Sequence, residues 1–201
     1  MELRWYRDYS SLEFDSRGDF FMKIVGEKII IRDLSFKDQD AYYEFGKNPN
    51  VGPQAGWKPF SNRDISDRML ASLILSKETY AIALKENNLL VGTISIYNNG
   101  IRKYNRVKSI GFSLNEDYWC QGIMTEAVRL IIDYVFKKTD CEVLEVGHHS
   151  DNYASKRVIQ KCGFNYDGRL CKYKRLYDGR IIDADFYSIT IDEYERKIRY
   201  E

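Results

Sequence analysis

Two hundred and one residues, 44% hydrophobic and 14% aromatic, suffice for one domain with a substantial core and exclude an intrinsically disordered chain. Charge is heavy but balanced, 31 Lys+Arg against 30 Asp+Glu for a net +1, which argues against a dedicated nucleic-acid binder and leaves only a local basic patch open. No apolar run nears the ~20 residues of a membrane helix, no apolar leader follows Met1, and the four cysteines (Cys120, Cys141, Cys162, Cys171) lack a CxxC pair and read as reduced cytoplasmic thiols.

Residues 1–21 mix aromatics and charges at no clear period and stand apart as an N-terminal extension, with Ser16-Arg17-Gly18-Asp19 as a loop. The extension is either a poorly ordered terminus or an arm docked through Trp5 and Tyr6. Residues 22–201 then form a single domain. Lys28–Leu34 is β-branched and predicts a strand. Ser35 with Asp38 three residues on starts a helix over 36–47, and Asn48-Pro49-Asn50 stops it, because the residue before Pro leaves the α region. Residues 51–60 read as a Gly/Pro-punctuated loop around Trp57. Ser61 or Asn62 caps a second helix to about Ser76, with Ile65, Met69, Leu70, Leu73 and Ile74 on one side.

The period then changes to two. Tyr80–Lys85 and Leu89–Tyr97 flank a hairpin turn at Glu86-Asn87-Asn88. A polar loop over 98–105 precedes a strand at Val107–Leu114. Gly122 opens a helix to about Lys138, with Ile123, Ala127, Leu130, Ile131, Tyr134 and Val135 at helical spacing. Val143–Gly147 is a buried-type strand, and Asn152–Cys162 a short helix closed by Gly163. Asn165–Tyr173 and Ile181–Ile191 form a long hairpin around Tyr177–Arg180. The order is β-α-α-β-β-β-α-β-α-β-β. It predicts an α+β fold: a mixed, mostly antiparallel sheet of about seven strands flanked by about four helices.

The stretch Ile110–Ala127 carries the chemistry. A strand runs into a tight loop and then a helix, whose first N–H groups lack partners and sit at the positive end of the helix dipole. A loop of little bulk there suits a pyrophosphate; its structural alternative is an ordinary turn. Downstream, Asn152 and Ser155 open a helix, where they serve either as caps or as hydrogen-bonding partners of an amide-rich ligand.

Together these elements resemble the GCN5-related N-acetyltransferase superfamily, and most closely its ribosomal-protein N-terminal acetyltransferase branch. The family's loop, roughly Tyr-Trp-Gly-Lys-Gly-Tyr-Ala-Thr-Glu-Ala after Ile-Gly-Tyr-x-Leu, is matched by Tyr118–Ala127 after Ile110–Leu114. Its Asn-x-x-Ser-x-x-(Val/Leu)-x-x-Lys-x-Gly-Phe is matched by Asn152, Ser155, Val158, Lys161, Gly163 and Phe164. The resemblance covers residues 24–195. It implies acetyl-CoA as donor, seated in a V-shaped splay between the strands at 107–114 and 143–147. The pantetheine arm would pair with the backbone of Phe112, Ser113 and Leu114, the pyrophosphate with N–H groups of Cys120, Gln121, Gly122, Ile123, Met124 and Thr125, and a pantetheine amide with Asn152. A primary amine of a small molecule or a protein N-terminus would attack the acetyl group directly, with rate coming from orientation and carbonyl polarisation. Ser155 matches a serine proposed to protonate the departing thiolate. No membrane partner is implied, and monomer and homodimer both stay open.

The chain also departs from the family. Cys120 and Met124 are bulkier than the usual Gly or Ala, which predicts a wider loop or weaker cofactor binding. Ile159 stands where other members carry a general-acid tyrosine. No carboxylate stands at Tyr173-Lys174 or at Ser109, so the base is unassigned; Asp183, Asp185 and a water chain are candidates, as are His148 and His149. Trp57, Phe60, Tyr97 and Tyr187 are candidate walls of an acceptor pocket, and no acidic pocket for polyamines or aminoglycosides is visible. Cys141, Cys162, His148 and His149 fit no zinc spacing, so no metal is expected. The alternatives to an acyltransferase are a non-catalytic acetyl-CoA or CoA sensor and a structural domain with a degenerate site.

Overall fold

The computed structural model describes residues 13–14, 20–98 and 100–200. The arm through Trp5 and Tyr6 and the loop at Ser16–Asp19 lie outside the described residues. Glu13–Phe14 (β1) pairs with Phe20–Phe21 (β2) in a small ribbon. Lys23–Val25 (β3) and Ile29–Asp33 (β4) follow, then a 3-10 turn at Phe36–Asp38, Gln39–Gly46 (α1), Gly52–Ala55 (α2) and Arg63–Ser76 (α3). Next come Thr79–Leu84 (β5), Leu90–Tyr97 (β6), Val107–Leu114 (β7) and, after a 3-10 turn, Ile123–Lys138 (α4). Val143–His149 (β8), Tyr153–Lys161 (α5), Asn165–Arg175 (β9), Ile181–Thr190 (β10) and Ile191–Tyr200 (α6) complete the chain. The main sheet has eight strands in the order β3-β4-β5-β6-β7-β8-β10-β9. All neighbours are antiparallel except β7 and β8, the one strand–helix–strand unit.

The α+β class and mixed sheet match the sequence reading, but three elements differ from it. β3 extends the sheet by one strand. α2 forms inside the supposed loop because Pro53 sits in its first turn, where a missing N–H costs nothing. The last strand ends at Thr190, one residue before its expected end, because the Thr190 N–H and hydroxyl both donate to the Glu193 carboxylate and start α6.

Helices cover both faces. α4 buries Ile123, Met124, Ala127, Val128, Ile131, Ile132, Val135 and Phe136 in the larger core, with Leu144 and Val146 of β8 and Ile159 of α5. Each fully buried side chain of this kind contributes about 1.5–3 kcal/mol. Opposite them, Tyr42, Phe45, Phe60 and Leu70 form a smaller core with Ala81 and Leu90. Asn62 caps α3, its side chain accepting the Ile65 N–H, but of the apolar side foreseen for this helix only Leu70 is fully buried; Ile65 and Met69 are exposed. No helix among the described residues is long and apolar enough to cross a membrane.

Candidate active site

The parallel ladder between β7 and β8 is short. It pairs Val107 with Val143 and ends at Ile110 with Val146, although both strands continue. Beyond that point each strand pairs only with its outer neighbour. Strand alternation then assigns the free groups. The Asn115 N–H donates to the Val91 carbonyl, so the Ser113 and Gly111 backbones turn to β6, and those of Phe112 and Leu114 turn into the gap. The Leu114 carbonyl is taken by the Trp119 indole at 2.8 Å. Phe112 N–H and C=O and Leu114 N–H remain. Across the gap, the Ser150 N–H to Asp183 carbonyl bond likewise leaves the Gly147 backbone facing β7. Gly147 is exposed between buried Val146 and His148, as a residue on the lip of a splayed strand must be.

The N-terminus of α4 lies next along the chain from this gap. Gly122 caps it with φ +81°, a left-handed conformation that disfavours a Cβ. Nothing stands within 4 Å of where a Gly122 Cβ would be, so the loop mouth is open. The Glu126 N–H bonds the Gly122 carbonyl, whereas the N–H groups of Ile123, Met124 and Thr125 precede the first helical acceptor. The bulk expected of Met124 is turned away: its side chain is 6% exposed, inside the larger core. Cys120 and Gln121 are exposed, and the Gln121 carbonyl accepts from Lys28 Nζ at 3.2 Å, which puts a cation beside the loop. The Glu126 carboxylate accepts the Glu27 and Lys28 N–H groups, so the β3–β4 turn draws this negative charge off the loop. These features fit the pyrophosphate of an acetyl-CoA molecule.

Asn152 caps α5, its Oδ1 accepting the Ser155 N–H at 3.0 Å. Its amide NH2 and the Ser155 hydroxyl have no protein partner among the described residues. Ile159 is fully buried in the core, so no hydroxyl from that position enters the site.

On the sheet face opposite α4, a pocket of about 190 Å³ abuts the gap through Gly111, Phe112 and Ser113. Tyr42, Trp57, Phe60, Tyr97, Met69 and Leu73 wall it. Tyr187, the fourth expected wall residue, is instead buried in the sheet, stacked on His148 at 5.5 Å with its hydroxyl 3.5 Å from Nε2. The pocket's hydroxyls escaped the sequence reading. Thr79 and Ser95 Oγ atoms meet at 2.8 Å, and those of Thr93 and Ser113 at 2.9 Å. Cross-strand Thr/Ser alternation on β5, β6 and β7 was the available signal.

The expected bases fare unequally. Asp185 is gripped by both Arg169 nitrogens at 2.7 and 2.9 Å, which hold its pKa below the usual range, and Asp183 accepts the Lys172 N–H. His148 is buried, with Nδ1 2.7 Å from the His149 carbonyl. His149 shares the pocket side of the sheet with Glu145 and Ser109. Burial lowers its pKa, so it is neutral near pH 7. Glu145, also missed as a site element, is 2% exposed and accepts from the N–H groups of Ile101 and Arg102 and from the Arg102 guanidinium. It pins Ile101 and Arg102 across the sheet. Among the described residues no cluster of three His, Cys, Asp or Glu is placed to hold a metal; Cys141 and Cys162 are buried free thiols.

The sequence pattern of the acetyltransferase (GNAT) domain matches residues 28–165. The chain is 27% identical over 174 residues to the uncharacterized N-acetyltransferase p20 of Bacillus licheniformis, covering 84% of this chain and 96% of that protein. It is 28% identical over 141 residues to the ribosomal-protein-serine acetyltransferase of Escherichia coli, covering 68% of this chain and 76% of that one. The crystal structure of the microcin C7 self-immunity acetyltransferase MccE, in complex with acetyl-CoA and AMP, superposes with a TM-score of 0.70 at 21% identity, over 82% of this chain and 93% of that one.

Proposed function

The chain belongs to the acetyltransferase (GNAT) family, and on that premise we propose that it transfers the acetyl group of acetyl-CoA to a primary amine within a ternary complex. The observation that carries this is the early end of the β7–β8 ladder at Ile110 and Val146, beside an α4 N-terminus with an open mouth. Acetyl-CoA is the donor of the family, and supplies a thioester carbonyl for an amine to attack.

The chain's own groups divide the work. The N–H groups of Cys120, Gln121, Gly122, Ile123, Met124 and Thr125 would hold the pyrophosphate, with Lys28 adding positive charge. Phe112 and Leu114 present backbone N–H groups for pairing and for carbonyl polarisation. Ser113 contributes to the acceptor side through its hydroxyl. Asn152 would hold a pantetheine amide with the NH2 left over from capping. Ser155 would give a proton to the departing thiolate. His149 is the best-placed base, because it is neutral and shares the pocket face, while Asp185 is tied up by Arg169 and Asp183, on the opposite face of the sheet, accepts the Lys172 N–H. The microcin acetyltransferase, whose complex contains acetyl-CoA, supports the donor reading; the relative named for ribosomal-protein serine supports a protein as one acceptor.

The missing acid at Ile159 and the lack of a carboxylate among the described residues that line the pocket favour a second reading, a CoA sensor without turnover. Calorimetric titration with acetyl-CoA and with CoA, then thiol release with amines, separates them. We expect micromolar acetyl-CoA binding, weakened about tenfold by Asn152→Ala through loss of a buried hydrogen bond. Binding with no turnover selects the sensor, and no binding rejects both.

A further inference from the structure

The pocket beneath α1, α2 and α3 bounds the chemistry of the acceptor. No Asp, Glu, Lys, Arg or His side chain lines it. Tyr42 is also locked neutral, because burial and then the adjoining Tyr97 raise its pKa far above the ordinary phenol. Near the pocket, Lys174 Nζ lies 3.4 Å from where a Cβ on Gly56 would stand, next to the lining residue Ala55. A second or third ammonium carried into this pocket would lose its water and meet no carboxylate, at a cost of several kcal/mol per ion.

Size and polarity point the other way. A dry cavity of about 150 Å³ accommodates benzene, so this recess of about 190 Å³, which opens to solvent, has room to seat one ring. Trp57, Phe60 and Tyr97 offer ring faces and edges to such a body. Each hydroxyl pair on the floor spends one of its two O–H donors internally, so one donor and spare lone pairs per pair can meet a neutral polar group. Gly111 to Ser113 belong both to the pocket and to the strand bordering the gap, so a body seated there presents its amine at the gap.

We infer that the acceptor is a primary amine attached to an uncharged, ring-sized group, either a free aryl-alkyl amine or a peptide N-terminus whose first side chain is of that kind, and that polyamines are excluded. The inference rests on the acetyl-transfer reading of the gap, but its first test does not use the donor.

The full chain is titrated calorimetrically with phenylalanine amide, with the peptide Phe-Gly-Gly and with spermidine, in the absence of acetyl-CoA. Heat from at least one of the two ring-bearing probes, with spermidine at least about tenfold weaker, is the expected result; thiol release with acetyl-CoA then tells the free amine from the peptide. Met69 is a half-exposed wall residue, so Met69→Glu leaves the core intact. It is expected to weaken the ring-bearing probes and to create spermidine binding. Spermidine binding as tightly as the ring-bearing probes, silence from both of those probes, or an unchanged preference in Met69→Glu overturns the inference. Failure of acetyl-CoA to bind, measured separately, removes the transfer reading instead.

Discussion

Replacing Met124 by alanine separates a role in the loop from a role in the core. From the motif alone, Met124 is surplus bulk where the family has a small residue, so trimming it should open the loop and tighten acetyl-CoA. The structure reverses that expectation, because the side chain is 6% exposed within the larger core. Val128, one helical turn on, is fully buried in the same core. Truncating a buried Met to Ala costs about 2–5 kcal/mol, depending on how far the site collapses. Alanine's better helix propensity returns only a few tenths of a kcal/mol, so the net loss is about 2–4 kcal/mol. For a domain of this size each kcal/mol lowers Tm by about 2–4 °C, which places the variant about 5–15 °C below the parent. Thermal and urea unfolding give the stability, and calorimetry with acetyl-CoA at a temperature where both proteins are folded gives the affinity. The expected outcome is a destabilised protein with unchanged affinity. Parent-like stability with tighter binding would refute the placement of Met124 and restore the bulky-loop reading.

Gly122→Ala should lose about 1–2 kcal/mol of stability from the left-handed backbone, with no steric addition because the Cβ enters open space; that methyl stands in the loop mouth, so calorimetry should show acetyl-CoA binding at least about tenfold weaker. Glu145→Ala removes the acceptor of three hydrogen bonds. Arg102 is 29% exposed and partly hydrated, so the cost falls below that of a fully buried pair, to about 2–3 kcal/mol in urea unfolding. A Cβ on Gly100 would clash with Glu145 Oε2, so Gly100→Ala should destabilise alone and add less than its full cost in Glu145→Ala. For His149 burial lowers the folded pKa below 6.5, so the unfolded chain protonates first as pH falls. Its contribution to stability is therefore whole above 6.5 and lost as pH drops through the folded value. The same protonation would disable the proposed base, so kcat/KM should fall along an acid limb below 6.5 that is missing in His149→Gln; an unchanged limb in that variant excludes His149 as the base.

Much of the fold was legible because local physics agreed with the tertiary outcome. β7 occupies the predicted span, α4 begins after Gly122, Asn62 rather than Ser61 caps α3, and Asn152 caps α5, one of its two expected roles. α6 was readable too, since Thr190-x-x-Glu193 is a capping box, but the strand pattern of β10 ran up to it and hid the change of period. The loop before α4 was legible as a motif because Gly122 and the helix start are consecutive in the chain.

The sequence by itself determined the periodicities, the caps and the loop, all of which depend on neighbours a few residues away. Only the tertiary structure decided which way Met124 points, that the β7–β8 ladder stops at Ile110 and Val146, that Tyr187 stacks on His148 rather than facing the pocket, and that Asp185 is spent on Arg169. Each of these joins residues distant in the chain or depends on sheet register, and a one-residue change of register exchanges the faces on which all of a strand's side chains lie.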